Sequence, residues 1–277
     1  MLGVGLIGGS FALAARKLGA KVTAFDRPEV LEQAKHAGAI DEPASDVASA
    51  VRGADLVFVA LPVGAALEAL PVVAQHAAQG ALVTDACSTK VRVCETAVKV
   101  FVGGARARFL GGHPMAGGEA GGIAHARPDL FSGAKWALVA REQDDDARVR
   151  QFAALVRALG AEPVFMDAET HDWAAAIVSH LPQLAAIGLA SVVKDETDET
   201  GLPLALAGLG VRDALRLAGS PYNMWRDICH SNPENIRLAL DRLITALDHL
   251  RNNLTTRELE REFASANEVY KILRGMK

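Results

Sequence analysis

At residue 3 the chain enters Gly3-Val4-Gly5-Leu6-Ile7-Gly8, a glycine pattern that few architectures can use. The residues that follow, 11–18, are apolar enough for a buried helix, and Asp26 closes the next β-rich run, 18 residues after Gly8. Between a strand and a helix each glycine has a task. Gly3 allows the tight turn, Gly5 lets a pyrophosphate approach the backbone, and Gly8 brings the helix against the strand. The N–H groups of Leu6, Ile7 and Gly8 at the helix start suit phosphate oxygens. Asp26 can accept from the ribose hydroxyls of NAD and would repel the 2′-phosphate of NADP. NAD is therefore the expected cofactor and NADP the less favoured one. Arg27 would meet a phosphate if its loop turned inward and is otherwise solvated. Only Met1 and Leu2 precede the motif, where a central strand belongs. Either translation starts several residues upstream or half of that strand is lacking.

Strand and helix patterns alternate up to residue 166. Runs 21–26, 55–60, 81–84, 109–111, 135–140 and 162–166 read as strands, and 28–38, 64–77, 90–101 and 144–159 as helices. A continuous apolar strand such as 55–60 belongs in a parallel sheet covered on both faces. The expected fold is a Rossmann-type, doubly wound, mainly parallel sheet over 1–167. Residues 168–277 carry no strand pattern and read as an all-helical domain. A long apolar helix is expected at 170–193, a loop at 194–200, and shorter helices near 202–218 and 221–230. Asn232-Pro233 reads as the cap and first turn of another helix, and Thr255 with Glu258 as a capping box for the last. A helix as apolar as 173–193 needs cover on most sides, more than a small helical domain supplies. A homodimer is expected to supply the rest.

The formal net charge is −4 with Lys and Arg scattered, which offers no footprint for nucleic acid or an anionic membrane. The apolar stretch 56–74 is interrupted by Pro62, Glu68 and Pro71, and no signal peptide is legible. The three cysteines, Cys87, Cys94 and Cys229, have no metal-ligand or disulfide-framework spacing, so no metal site is expected and a reducing cytoplasm is.

Four segments occur in order: GVGLIGGS at 3–10, TDACSTK at 84–90, GGHPMAGGEAGG at 111–122 and HDWAAAIVSHLPQ at 171–183. Together they resemble the prephenate/arogenate dehydrogenases, and RDALRLAGSPYNMWRDI at 212–228 resembles the substrate-binding stretch of that family's helical domain. The resemblance implies oxidation of the ring hydroxyl carbon of prephenate or arogenate, with loss of the ring carboxylate as CO2, in tyrosine biosynthesis. It implies a small-molecule substrate, a homodimer, and, since the chain ends with its last helix, no appended regulatory or mutase domain. The family's catalytic histidine falls on His113, whose neutral imidazole can take a hydroxyl proton near neutrality. Ser88 matches a serine that helps place that histidine, and can equally cap the helix after it. Arg216 matches the arginine that grips the side-chain carboxylate, for which a planar guanidinium is suited. Arg212, four residues earlier, is expected on the same helix face. His180, Gln183 and Ser179 are the polar groups of the apolar helix and are assigned to substrate binding. Gln183 stands where the family often has His, which leaves prephenate and arogenate both open. Cys87 and Thr89 depart from the family's usual Gly and Val. Glu119 is expected near the substrate entrance, Trp225 in packing, and His171 and Asp172 in a helical first turn.

Two other readings compete. A β-hydroxyacid-type dehydrogenase would need a catalytic lysine in the helical domain, and only Lys194, in an acidic run, lies between 168 and 270. A dinucleotide sensor without turnover would have no use for His113, Ser88 and Arg216 together.

Overall fold

The computed structural model describes residues 1–101, 107–118, 120–140 and 145–275, the side chains of 199 and 200 excepted. The first unit alternates α1 (Leu6–Lys17), β1 (Thr23–Ala24), α2 (Pro28–His36), β2 (Glu42–Pro43), α3 (Val47–Val51), β3 (Leu56–Val59), α4 (Val63–His76), β4 (Leu82–Asp85) and α5 (Val91–Val100). It ends with β5 (Arg108–Pro114), β6 (Lys135–Val139), α6 (Ala147–Ala158) and β7 (Glu162–Met166). The expected start of α6 at residue 144 lies outside the described residues. Its cap is Asp146, whose side chain accepts from Arg148 N at 2.8 Å.

β1 pairs with β2, and β3 to β7 form a sheet in sequence order, parallel except between β5 and β6. Met1–Gly3 joins the two parts. Leu2 bridges both Phe25 and Val59, with Leu2 N bonded to Phe58 O and Gly3 N to Phe25 O. The short first strand thus takes the central place. Beyond it, a cavity of about 570 Å³ between the strands is lined by Met1, Phe11, Val22, Thr23, Ala54 and Phe58. The Met1 amino group donates to Thr23 O, and burial pushes its pKa down to about 5.

Alternation along the strands divides the core. Phe58, Trp136 and Leu138 face α1, α2 and α6, whereas Val57, Val59 and Val83 face α3, α4 and α5. Phe11 stacks on Phe58 at 4.0 Å between ring centroids, and fully buried Trp136 meets both rings edge-on or tilted.

From Ala168 the chain is helical. α7 (Ala168–Ala175) runs through a π-turn, Ala176–His180, into α8 (Leu181–Thr200). Pro182 lacks an N–H and its ring crowds the preceding turn, and a widened turn absorbs both effects. The expected loop at 194–200 is instead the end of α8. Its polar run is an exposed helix with a Lys194–Asp198 pair one turn apart, and it stops at Gly201 with φ 69°.

The region 202–218 breaks into α9 (Leu202–Ala205), α10 (Leu209–Ala214) and a 3₁₀ turn, Arg216–Gly219. Arg212 and Arg216 therefore do not share one continuous helix. α11 (Tyr222–Ser231), α12 (Pro233–Asn252) and α13 (Glu258–Leu273) complete the chain. Asn232 precedes α12 without capping it, because its Oδ1 accepts from the Asn235 side chain at 2.8 Å while its Nδ2 donates to Asp172 O at 2.7 Å. The capping box expected from Thr255 is absent, and Thr256 Oγ1 takes the Glu258 N–H instead. The stretch Ala168–Asp198 is long and apolar enough to cross a bilayer by length and composition, and its most apolar part is only 22% buried within one chain. The cover expected for it is thus not supplied by the rest of the protomer.

Candidate active site

The glycine turn has the form its sequence requires. Gly3 sits at φ 82°, and a Cβ on Gly8 would run into the Gly3 carbonyl. A Cβ on Gly5 would meet nothing within 4 Å, so the side from which a ligand would approach is open. The start of α1 has no side-chain cap, which leaves the early N–H groups of Leu6, Ile7 and Gly8 for an anion. Asp26 accepts from Val4 N at 2.8 Å and from Arg27 N at 2.7 Å, and each oxygen keeps a further lone pair for a ribose hydroxyl. Arg27 is exposed and lies 3.4 Å from Glu29, the solvated arrangement. An open backbone cradle, an uncapped helix and a carboxylate at the strand end fit NAD.

The loop after β5 passes over this turn. Ile123 packs above Gly9, where a Cβ would collide with it, and Arg127 N donates to Ser10 Oγ at 3.0 Å. His113 is the next-to-last residue of β5, before this loop, and is buried. Its backbone is held from below. Asp85, at the end of β4, accepts from Gly112 N at 3.0 Å, and Lys90 Nζ donates to Gly112 O at 2.7 Å. Lys90 and Asp85 form an ion pair with both side chains fully buried. Burial is the largest single effect and lowers the Lys90 pKa, but the charge and hydrogen bond of Asp85, together with the neighbouring Cys87 and Cys94, outweigh it in sum and hold the ammonium above its ordinary value. Gly112 is a glycine because a Cβ there would lie 2.7 Å from Asp85 O and 2.8 Å from Thr84 Oγ1. Thr89 Oγ1 bonds Ser231 Oγ at 2.8 Å across the two units, and Cys87 is buried beside Asp85. Ser88 lies half-buried in the same loop and does not cap α5, whose N-terminal position is Lys90.

The helical unit contributes polar groups from α7 inward. Asp172 accepts from Lys90 N at 2.6 Å and Val91 N at 3.0 Å, so it caps α5 across the domain boundary and does not serve its own first turn. His171 Nδ1 lies 2.8 Å from Asp172 Oδ1, and His171 Nε2 lies 2.9 Å from His113 Nδ1. His171 and Asp172 are the residues whose part in the site the sequence reading missed. The available signal was an adjacent His and Asp on so apolar a helix, since buried polar groups need partners.

His180 is fully buried, edge-on to Trp225 at 5.9 Å, and its two ring nitrogens have no hydrogen-bond partner among the described residues. Burial lowers its pKa to about 4. Gln183 is also buried. Its Nε2 donates to Leu217 O at 2.7 Å and its Oε1 accepts from Ser220 Oγ at 3.2 Å, so it anchors the 3₁₀ turn that begins at Arg216. Ser179 is half-buried on the π-turn, Arg216 and Arg212 are exposed, and Glu119 lies outside the described residues. Burial first, then the neighbouring His171, Lys90 and His180, holds the His113 pKa well below its ordinary value. His113 is thus a neutral imidazole at pH 7. No histidine, cysteine or carboxylate group that could hold a metal occurs among the described residues.

Residues 11–165 match the family described as prephenate dehydrogenase, nucleotide-binding domain, and 167–267 match prephenate dehydrogenase, dimerization domain. The chain is 34% identical over 269 residues to the prephenate dehydrogenase of Bacillus subtilis, spanning 95% of this chain and 71% of that one. Among solved structures, prephenate dehydrogenase from Aquifex aeolicus, in complex with hydroxyphenyl propionate and NAD+, superposes with TM-score 0.86 at 31% identity, over 99% of this chain and 95% of that one. Synechocystis arogenate dehydrogenase superposes with TM-score 0.81 at 28% identity, over 98% of each chain.

Replacing Lys90 by Met leaves Asp85 buried without its counter-charge and should cost about 3–5 kcal/mol. Urea denaturation of the two proteins side by side measures it, and a loss below about 1 kcal/mol would mean that the pair does not hold this loop.

Proposed function

We propose a reaction from one premise: the chain belongs to the prephenate dehydrogenase family. The reaction is the oxidative decarboxylation of prephenate to 4-hydroxyphenylpyruvate with NAD, a step of tyrosine biosynthesis. The observation that carries this reading is His113, a buried neutral imidazole whose loop packs over an NAD-type glycine turn. When bound, NAD supplies the two-electron acceptor for the ring carbon. His113 takes the hydroxyl proton as that carbon is oxidised. The same proton is then available to the phenolic oxygen once CO2 has left and the ring is aromatic. Aromatisation drives the loss of CO2, so the protein has no need to activate the ring carboxylate strongly.

The first unit, 1–167, holds the cofactor through Gly3, Gly5, Leu6, Ile7, Gly8 and Asp26, with Arg27 at its edge. The second, 168–277, completes the substrate pocket and forms a homodimer. A second copy would cover apolar side chains of α8 such as Ile187, Leu189 and Val192, which are exposed in the protomer. Arg216 grips the substrate's side-chain carboxylate, Gln183 fixes the turn that carries it, and Ser179 and His180 complete that wall. Ser88 lies on the loop between β4 and α5 and helps place the substrate beside His113. Three free cysteines suit a reducing cytoplasm.

Initial rates of NADH formation with prephenate and with arogenate, each at saturating NAD, test the reading. Prephenate is expected to be the better substrate, and silence with both would refute the reaction. His113→Gln should lower kcat by about 10²–10⁴-fold with NAD still bound. Arg216→Ala should raise the KM for substrate by about tenfold or more with a smaller effect on kcat, the pattern of lost binding energy. An unchanged KM would move the carboxylate to another cation.

The neutral form of His113 is the active one. It is lost only as pH falls through the depressed pKa, so kcat/KM should stay level from neutrality to below about 6.5, the ordinary histidine value. An acid limb with its midpoint at or above that value would exclude His113 as the base.

A further inference from the structure

Asp172, His171 and His113 form a file of hydrogen bonds in which each member's role is dictated by the one before it. Both Asp172 oxygens already accept backbone N–H groups, at the start of α5. An ionised carboxylate has only lone pairs to offer, so toward His171 Nδ1 it must accept again. His171 therefore carries its proton on Nδ1. In the neutral ring Nε2 is then an acceptor, and it faces His113 Nδ1 at 2.9 Å. His113 must in turn carry its proton on Nδ1, which leaves a lone pair on Nε2. Among the described residues no hydrogen bond reaches that nitrogen.

We propose that His171 and Asp172 are positioning residues that set His113 in the Nδ1–H tautomer, so that its Nε2 faces the substrate hydroxyl as an acceptor. The inference deepens the reaction proposed above and rests on His113 being its base. It also accounts for the pairing of elements. The base stands on β5 of the nucleotide unit, and the groups that fix its tautomer stand on α7 of the helical unit. When His113 takes up the proton, its Nδ1–H still points at His171 and no ring has to turn. The other ionisable groups that act on His113 among the described residues are Lys90, held by Asp85, and His180, which has no hydrogen-bond partner among them. Neither supplies an acceptor to His113 Nδ1 in place of His171.

The test uses the full-length enzyme with NAD bound, selective ¹⁵N labelling of histidine, and two variants. In the parent, the His113 ¹⁵N shifts should report a protonated Nδ1 and a bare Nε2. Asp172→Asn can turn its amide N–H toward His171 Nδ1, which reverses the tautomer of each ring in turn. It should move the His113 proton to Nε2 and lower kcat by about 10²–10⁴-fold, as wrong-tautomer variants of hydrolytic triads do. The KM values for substrate and NAD should stay within about threefold.

Asp172 also caps α5, so Asp172→Asn can fail to fold. His171→Phe keeps the ring volume and the cap but removes both nitrogens. It should lower kcat by about tenfold or more at near-parental KM, with the His113 signal split between tautomers. A parent His113 protonated on Nε2 overturns the proposal. So does a variant that loses rate while the His113 tautomer is unchanged. If the parent turns over neither substrate, the reaction reading falls, and the ¹⁵N shifts still decide whether the file sets the tautomer.

Discussion

Much of the site hangs on the buried contact between Lys90 and Asp85. Two charges that water no longer reaches are tolerable only if each has its partner and its remaining hydrogen bonds. Here Asp85 also takes the Gly112 and Cys87 N–H groups, and Lys90 donates to the Gly112 carbonyl. The pair folds the segment after β4 back on itself and clamps the strand next to it one residue before His113. It also sets where α5 begins, since Lys90 is the residue from which that helix starts.

The start of α5 is where the two units meet. Its first N–H groups are satisfied by Asp172 from α7, and Thr89, on the same loop, bonds Ser231 of α11. Asp227 accepts from Gly64 N at the head of α4, and Arg92 reaches the His230 carbonyl. Helix starts with free donors are thus filled by acceptors of the helical unit. A carboxylate that caps one helix and orients a histidine beside it makes unit docking and site geometry a single event. That coupling suits the role of base proposed for His113, whose ring the contact holds buried.

The helical unit answers two demands at once. Its central helix must be apolar enough to seek cover, yet it carries His171, Asp172, His180 and Gln183 into the protomer. The π-turn before Pro182 lies between the groups that serve His113 and the glutamine that holds the Arg216 turn. Gln183 spends its amide on the backbone of that turn and on Ser220, so any effect it has on the substrate proposed above would pass through where Arg216 is placed.

The sequence by itself determined the elements whose signal is local. The glycine turn, the Asp that ends the next strand, the run of strands and helices up to Met166, and the long apolar helix were all legible, because steric need and hydrophobic periodicity act over a few residues. Family motifs singled out His113, Ser88 and Arg216, whose roles remain the proposal made above. Local signals misled where the deciding partner lay far along the chain. The polar run at 194–200 looked like a loop because an exposed helix end has no periodicity to show. Asn232 looked like a cap because its tie to Asp172, 60 residues away, is invisible in order along the chain. His171 and Asp172 looked like first-turn residues for the same reason. That their side chains reach the adjacent unit, and that His171 meets Nδ1 of His113, is visible only in three dimensions. A hydrogen-bond file is a property of groups brought together in space, and no spacing in the sequence encodes the direction in which its protons point.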